Sequence, residues 1–409
     1  MKILVVTQYF WPEDFRINDL VDGLMDMGHE VEVLTGKPNY PRGNYFPGYG
    51  FLTKNIEYRN GIKIYRVPLI PRGKNNKFLL AINYFSFVFF GLVLGPLYCR
   101  KKYDLIFVFS VSPVTIAIPA RFLGWLRKTP VVIWVQDLWP ESLTSTGAVS
   151  NKFILNAVGN MVEWIYKGCA LILIQSHAFV DSVRRFNIPE SRIEYFPNTA
   201  ESLYVPVGSD VVNKGTELLP DGFVVMFAGN IGVAQDFETI LEAATLIKNK
   251  VNIHWVILGE GREYNWVKNE VERLGLIETF HLFGRYSMED MPIFFSKANA
   301  MLVSLKKTEI FSMTIPSKVQ SYMACARPII ASLDGEGARV VEESGAGLSV
   351  GAENPKALAE AVLAMEEMGC EERMRMGANG LSYYEENFKR SVLLERLDAI
   401  INKLVKEND

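Results

Sequence analysis

The groups best suited to holding a phosphate are concentrated between Ser304 and Ser332, in SLKKTEIFSMTIPSKVQSYMACARPIIAS. A strand-like run ends at Val303, a loop follows with Lys306 and Lys307, and Pro316-Ser317 then opens a predicted helix. Proline suits a helix start because its missing N–H would have no partner there. The free N–H groups of such a first turn, with the positive end of the helix dipole behind them, form a site for a diphosphate. Lys318, Lys306 and Lys307 add full positive charge. The plain alternative is a solvated helix start with surface lysines.

Two shorter stretches point the same way. Phe227–Gln235 (FAGNIGVAQ) follows a strand-like run; Gly229 and Gly232 allow close backbone approach, and Asn230 and Gln235 offer donors for phosphate oxygens. Phe283-Gly284-Arg285-Tyr286 again ends a strand, and places a guanidinium and a phenol where they can hold a base by hydrogen bonding and stacking. Each piece alone also fits an ordinary turn. In the first half, Trp134–Ser142 (WVQDLWPES) carries two carboxylates, Asp137 and Glu141, suited to orienting or deprotonating a hydroxyl, with Gln136 beside them. Asp137 serves equally as a cap for the following turn. The loop Pro12-Glu13-Asp14-Phe15-Arg16 brings Arg16 to the end of the first strand, as a candidate contact for an acceptor or a phosphate. Tyr40–Tyr49 (YPRGNYFPGY) reads as a mobile acceptor loop or a surface turn.

The elements that must position these groups alternate short β-branched runs with amphipathic stretches, the pattern of βαβ units and parallel sheets. Predicted strands in the first half are 3–7, 30–35, 62–68, 105–109, 131–135, 171–174 and 193–196. Those in the second are 224–228, 254–258, 279–283, 300–303, 328–331 and 347–350. A helix near 17–26 stops at Gly28, and others are predicted over 236–248 and 357–368. A turn-rich stretch, 199–222, separates the halves. The domains expected are therefore 1–203 and 204–382, with the helical segment 383–409 packing back on the first. Two doubly wound sheets of this kind hold ligands at the carboxyl ends of their strands.

A length of 409 residues exceeds one ordinary core, and 49% hydrophobic with 22% charged residues describes a globular chain. A net charge of -3 argues against a general nucleic-acid binder. Cys99, Cys169, Cys325 and Cys370 form no CxxC pair, which fits reduced thiols in the cytosol. The four histidines show no metal-ligand spacing, and His29 reads as structural. The start MKILVVTQYF does not read as a signal peptide. Phe78–Pro96 (FLLAINYFSFVFFGLVLGP) is the most apolar stretch, flanked by Lys74, Lys77, Arg100, Lys101 and Lys102. It just reaches spanning length, but Asn83 and Ser86 interrupt it, and spanning would split the flanking strands across a bilayer. A buried core helix and an interfacial helix remain; the basic flanks favour the interface.

Taken in order, AGNIG…AQ, a GEG turn at Gly259–Gly261, FGR and PSK…YMA…RPIIAS resemble the second domain of family-4 glycosyltransferases. QYFWPEDFRINDL, GHEVEVLTGKPNYP, QDLWPES and IEYFPN agree in the first half, so the resemblance spans nearly the whole chain. It implies an α/β GT-B fold, two Rossmann-like doubly wound domains facing a central cleft, the first taking the acceptor and the second the donor. It also implies retaining transfer from a nucleotide-sugar cosubstrate, a UDP-sugar, with no metal and no other cofactor. The branch it resembles transfers N-acetylated amino sugars such as N-acetyl-L-fucosamine during O-antigen or capsule assembly. An undecaprenyl-diphosphate-linked saccharide follows as acceptor, and the inner face of the cytoplasmic membrane as location, with contact through 78–96.

Two departures stand out. The family's Glu-x7-Glu pair falls here on Met313 and Ser321, and its phosphate-binding Arg and Lys fall on Asn230 and Gln235. Lys318 and Lys306 are the substitutes for the missing charge. Many members carry a histidine at the position of Gln136. Three rivals are a UDP-sugar epimerase on the same fold, a non-catalytic membrane-associated scaffold and a dinucleotide-dependent oxidoreductase. The last fails on the first loop, TQYFWPED, which contains no glycine.

Overall fold

The computed structural model describes every residue except Asn75, 146–148, Ser150 and Asp409. The chain divides into two compact units: 1–196 with 394–409, and 197–393. The division thus falls at Phe196/Pro197, earlier than the 203/204 boundary expected. The return crossing lies inside the last helix, at Leu393/Leu394, well past residue 383.

The first unit is built on eight strands: β1 Lys2–Val6, β2 Glu30–Thr35, β3 Ile56–Arg59, β4 Ile62–Arg66, β5 Leu105–Ser110, β6 Val131–Val135, β7 Leu171–Ile174 and β8 Ile193–Tyr195. Their order is β3-β4-β2-β1-β5-β6-β7-β8, parallel throughout except for the β3–β4 hairpin at one edge. Central strands such as β5 (LIFVFS) and β6 (VVIWV) are buried along their whole length, as strands covered on both faces require. β3 is absent from the sequence reading because its four residues, IEYR, alternate exposed and half-buried at an open edge. Helix α1, Arg16–Asp26, closes at Gly28, whose φ of 85° lets its N–H reach the Met25 carbonyl at 2.9 Å.

The second unit holds β9 Phe223–Ala228, β10 Ile253–Leu258, β11 Phe280–Gly284, β12 Ala300–Ser304, β13 Ile329–Ser332 and β14 Gly347–Val350. All are parallel, in the order β11-β10-β9-β12-β13-β14. That order reverses direction between β9 and β12, so the carboxyl ends of β9, β10 and β12 border the crevice where doubly wound sheets bind ligands. The last helix, Arg390–Asn408, then re-enters the first unit. It buries Leu397 and Ile401 there, and Asp398 Oδ1 meets His29 Nε2 at 2.9 Å. His29 is structural, as its place before β2 suggested.

The apolar stretch forms helix α2, Lys77–Tyr98, capped by Asn76, whose side chain accepts from the N–H groups of Phe78 and Leu79. Its two faces are inverted relative to an ordinary amphipathic helix. Asn83, Ser86, Gly91 and Gly95 face inward, while Phe78, Phe85 and Phe89 are 73%, 72% and 61% exposed. Asn83 carries the inward face: its Oδ1 accepts from Gln8 Nε2 at 2.7 Å, and its Nδ2 donates to the Ile70 carbonyl at 2.5 Å. An apolar side chain in place of Asn83 would strand both groups away from water. Gly91 and Gly95 bring the helix onto helix α3, Ala117–Arg127, against Pro119 and Leu123. Because α2 lies against α3 and connects β4 to β5 of one sheet, the buried-core and spanning readings both fail to describe it. Its outer face is a row of apolar side chains at helical spacing, Phe85, Phe89, Val93 and Leu97.

A Cβ at Gly91 would sit 2.7 Å from Pro119 Cγ and 2.9 Å from its Cβ, on a ring that cannot turn aside. Gly91→Leu is therefore expected to lower unfolding free energy by roughly 1–3 kcal/mol through overpacking. Urea denaturation followed by circular dichroism reads this; an unchanged midpoint contradicts the tight α2–α3 contact.

Candidate donor and acceptor sites

In the second unit, β9, β10 and β11 run into Gly229, Gly259 and Gly284, all at positive φ. Their backbones are stitched together: Gly229 N–H donates to the Leu258 carbonyl at 2.8 Å, and Gly259 N–H to the Gly284 carbonyl at 2.7 Å. A Cβ at Gly259 would lie 1.8 Å from the Gly229 oxygen, and one at Gly229 would lie 2.6 Å from Lys318 Cε. Glycine is required at both positions for the strand ends and the lysine to come together.

Above this floor lies a cavity of about 540 Å³. Of the residues singled out in the sequence, Gly229, Asn230, Arg285, Tyr286, Ser317, Lys318 and Ser321 line it. Gln235, Lys306 and Pro316 do not. The Gln235 side chain turns back to Asn230, whose Nδ2 lies 3.4 Å from Gln235 Oε1. Lys306 is anchored beside that loop through its backbone N–H to the Ala234 carbonyl at 3.0 Å, but its side chain is not part of the cavity wall. Pro316 takes the cap position of the helix Ser317–Ala324 instead of its first turn, and leaves the first N–H groups without a side-chain cap. Ser317 and Lys318 of that turn face the cavity. Ser321, where the family's second glutamate would stand, spends its hydroxyl on the Ser317 carbonyl at 3.1 Å.

Lys318 is the charge centre of this wall. Its Nζ stands 4.8 Å from the centre of the Phe227 ring, and surrounding protein strips away its water. Desolvation lowers its pKa from 10.5 to about 8. Arg285 is exposed at the rim, and the ring of Tyr286 is held by Phe294 at 4.5 Å. The sequence reading missed Tyr204, Met288, Met291, Phe295 and Tyr322, which supply the apolar wall, and the carboxylates Glu201 and Glu260. Glu260 sits in the GEG turn already visible in the sequence. Tyr322 lies in the PSK…YMA segment and Met288 two residues after Tyr286, whereas Glu201, Tyr204, Met291 and Phe295 carry no local signal. Tyr322 also braces the floor: its hydroxyl accepts from the Ala228 N–H at 3.1 Å.

In the first unit, Asp137 is half-buried after β6 and its Oδ2 accepts from the Ser112 N–H at 2.9 Å. Burial raises its pKa, partly opposed by the Ser112 backbone hydrogen bond. Gln136 is buried; its carbonyl accepts from Gln175 at 2.6 Å, and its Nε2 has no partner among the described residues. Glu141 is paired with Arg185 at 2.7 Å, so its charge is already matched and Asp137 is the better placed of the two for an acceptor hydroxyl. Arg16 begins α1. The neighbouring Glu13 is buried, receives the N–H groups of Asn39 and Tyr40 at 2.8 and 2.7 Å, and has its pKa raised by burial to about 7. The 40–49 stretch, which read as a mobile acceptor loop or a surface turn, is tied down: Glu13 holds one end, and the Tyr45 hydroxyl donates to the Leu69 carbonyl at 2.8 Å. Among the described residues no cluster of three or more His, Cys, Asp or Glu side chains is arranged to hold a metal.

Lys318 has a stability consequence with a definite sign. Between pH 8 and 10.5 the unfolded chain holds this proton and the folded chain has lost it, so folding stability gains with rising pH across that window. At pH 7 the buried charge opposes folding. Lys318→Met is expected to raise Tm at pH 7 and to flatten the rise above pH 8. Parallel Tm–pH curves for the two proteins are the contrary outcome.

Residues 15–199 match the family described as glycosyl transferase 4-like domain, and residues 213–382 match glycosyl transferases group 1. The probable glycosyltransferase WbjE of Pseudomonas aeruginosa is 24% identical over 352 residues, covering 83% of this chain and 84% of that protein. The putative colanic acid biosynthesis glycosyl transferase WcaI of Escherichia coli K12 is 23% identical over 339 residues, covering 79% and 81%. Among solved structures, Anabaena HepE in complex with UDP superposes with a TM-score of 0.68 at 14% identity, over 98% of this chain and 100% of that one. With both halves matched in this order on two parallel-sheet units, the chain belongs to the glycosyltransferases of GT-B fold that join a 4-like domain to a group 1 domain.

Proposed function

We propose that this glycosyltransferase moves an N-acetylated amino sugar, N-acetyl-L-fucosamine as the specific case, from a UDP donor to an undecaprenyl-diphosphate-linked saccharide. The transfer is retaining and metal-independent, and serves bacterial surface polysaccharide synthesis on the inner face of the cytoplasmic membrane. The observation that carries the donor assignment is the convergence of Lys318, the uncapped first turn at Ser317 and the Arg285-Tyr286 rim on one cavity. A diphosphate placed against that turn meets backbone N–H groups and an ammonium in a site poor in water, where each is worth more than in solution. The leaving diphosphate is stabilised there without a metal, and front-side attack needs no protein nucleophile. The UDP carried by HepE and the colanic acid role in the name of WcaI support the donor and pathway parts of this reading. The exposed row on α2 supports the membrane part, because its apolar side chains and basic flanks suit an anionic bilayer surface.

UDP at about a hundred times its dissociation constant is expected to stabilise the protein by roughly 2.7 kcal/mol. GDP, ADP and NAD should do less, and Lys318→Met should abolish the UDP effect. Equal responses to all nucleotides would remove the donor assignment and favour the scaffold reading. Turnover of UDP-N-acetylamino sugars only when a lipid-linked acceptor is added separates transfer from epimerisation. For the membrane face, Phe85→Asp with Phe89→Asp is expected to abolish co-sedimentation with vesicles containing phosphatidylglycerol while leaving UDP stabilisation intact. Undiminished co-sedimentation rules α2 out as the contact.

A further inference from the structure

Helix α2 is joined to β4 by a segment in which Arg72 meets an aromatic cluster. Tyr9, Phe15 and Tyr40 pack face to face and at tilts, with ring centres 5.0, 5.7 and 5.2 Å apart. The guanidinium carbon of Arg72 stands 5.0 Å from the centre of the Tyr40 ring. Its position is set from the backbone, since Arg72 N–H donates to Asn39 Oδ1 at 3.1 Å, and that oxygen also receives Asn83 of α2. Arg72 is only partly buried and makes no ion pair among the described residues. Two other arginines of this unit do have a carboxylate: Arg66 has Glu57, and Arg59 has Asp22. An arginine held rigid on an aromatic face, with its charge unmatched, is a binding group for a phosphate.

Tyr84 of α2 links this group to the candidate acceptor carboxylate. Its hydroxyl is half-buried, and its pKa is raised chiefly by burial, with Arg72 lowering it and Asp137 raising it. The same hydroxyl interacts with Tyr9. Tyr84 thus stands within electrostatic reach of both Arg72 and Asp137, on the helix whose outer face is apolar. A lipid-diphosphate-sugar presents a hydroxyl, a diphosphate and a hydrocarbon chain, and Asp137, Arg72 and the exposed apolar face of α2 offer one group for each.

We propose that Arg72 binds the diphosphate of a polyprenyl-diphosphate acceptor, placing its first sugar between the Tyr9–Tyr40 cluster and Asp137 and its chain along α2. This rests on the acceptor reading above and sharpens it. Phosphate at the membrane plane has two sources, the carrier's diphosphate and bilayer headgroups, and Arg72 is assigned to the first.

The test measures binding of farnesyl diphosphate in detergent micelles, with farnesol and inorganic diphosphate as references. Saturating UDP keeps the diphosphate out of the second unit. Wild type, Arg72→Gln and Arg72→Lys are compared, with circular dichroism as the check on folding. Arg72→Gln is expected to weaken farnesyl diphosphate binding about tenfold, or about 1.4 kcal/mol. Farnesol binding should not change, and Arg72→Lys should restore part of the loss. Equal affinity of wild type and Arg72→Gln overturns the proposal, as does an equal loss for farnesol. Loss of phosphatidylglycerol-vesicle binding in step with farnesyl diphosphate reassigns Arg72 to the headgroups and also overturns it. Failure of the donor reading appears separately, as absence of UDP stabilisation in all three proteins.

Discussion

A lysine side chain lying across a glycine backbone organises the second unit. Lys318 Cε approaches Gly229 so closely that a methyl group there would collide with it, and Gly229 in turn presses on Gly259. The strand ends, the loop after β9 and the start of the 317–324 helix are thereby locked to one another. The arrangement holds an ammonium in a place that lowers its pKa, which is unfavourable for an unliganded charge and favourable for meeting an anion. The same desolvation that costs folding stability strengthens the attraction of this wall for any anion brought to it. The family's usual pattern puts cations on the loop after the first strand. Here that loop carries Asn230 and Gln235, which hydrogen-bond to each other, and the charge arrives instead from Lys318 of the 317–324 helix, packed against Gly229.

The first unit rests on a different inversion. A 22-residue helix containing an 18-residue stretch of mean hydropathy 2.1 would ordinarily turn its phenylalanines to the sheet. In α2 two glycines and the polar pair Asn83 and Ser86 take the inner face, because the space beside Pro119 and Leu123 admits no large side chain and because Gln8 and the Ile70 carbonyl need partners. Phe87 is buried with them, while Phe78, Phe85 and Phe89 are left outside. The buried amide thus fixes both the docking of the helix and the position of Asn39, which holds Arg72 and, through the next residue, the Glu13 latch.

Much of the chemistry was local and could be read directly. Alternating β-branched runs place the strands, glycine after a strand marks a close approach, and PSK before an amphipathic run marks a helix start able to hold an anion. These depend on backbone preference and on neighbours a few residues apart. The interruptions Asn83 and Ser86 likewise spoke against a spanning helix. Their inward orientation could not be inferred, since a helical wheel shows which residues share a face but not which face meets the sheet.

What the sequence determined by itself was the fold class, the order of the elements and the identity of the segments that carry donors and charge. Tertiary structure alone decided which of those charges act together. Lys318 enters the cavity while Lys306 and Gln235 stay beside it, Glu141 is matched by Arg185, and Arg72 is left unmatched on Tyr40. The physical reason is that an ion's chemistry depends on its distance to other charges and on the water around it. Both are set by contacts between residues far apart along the chain.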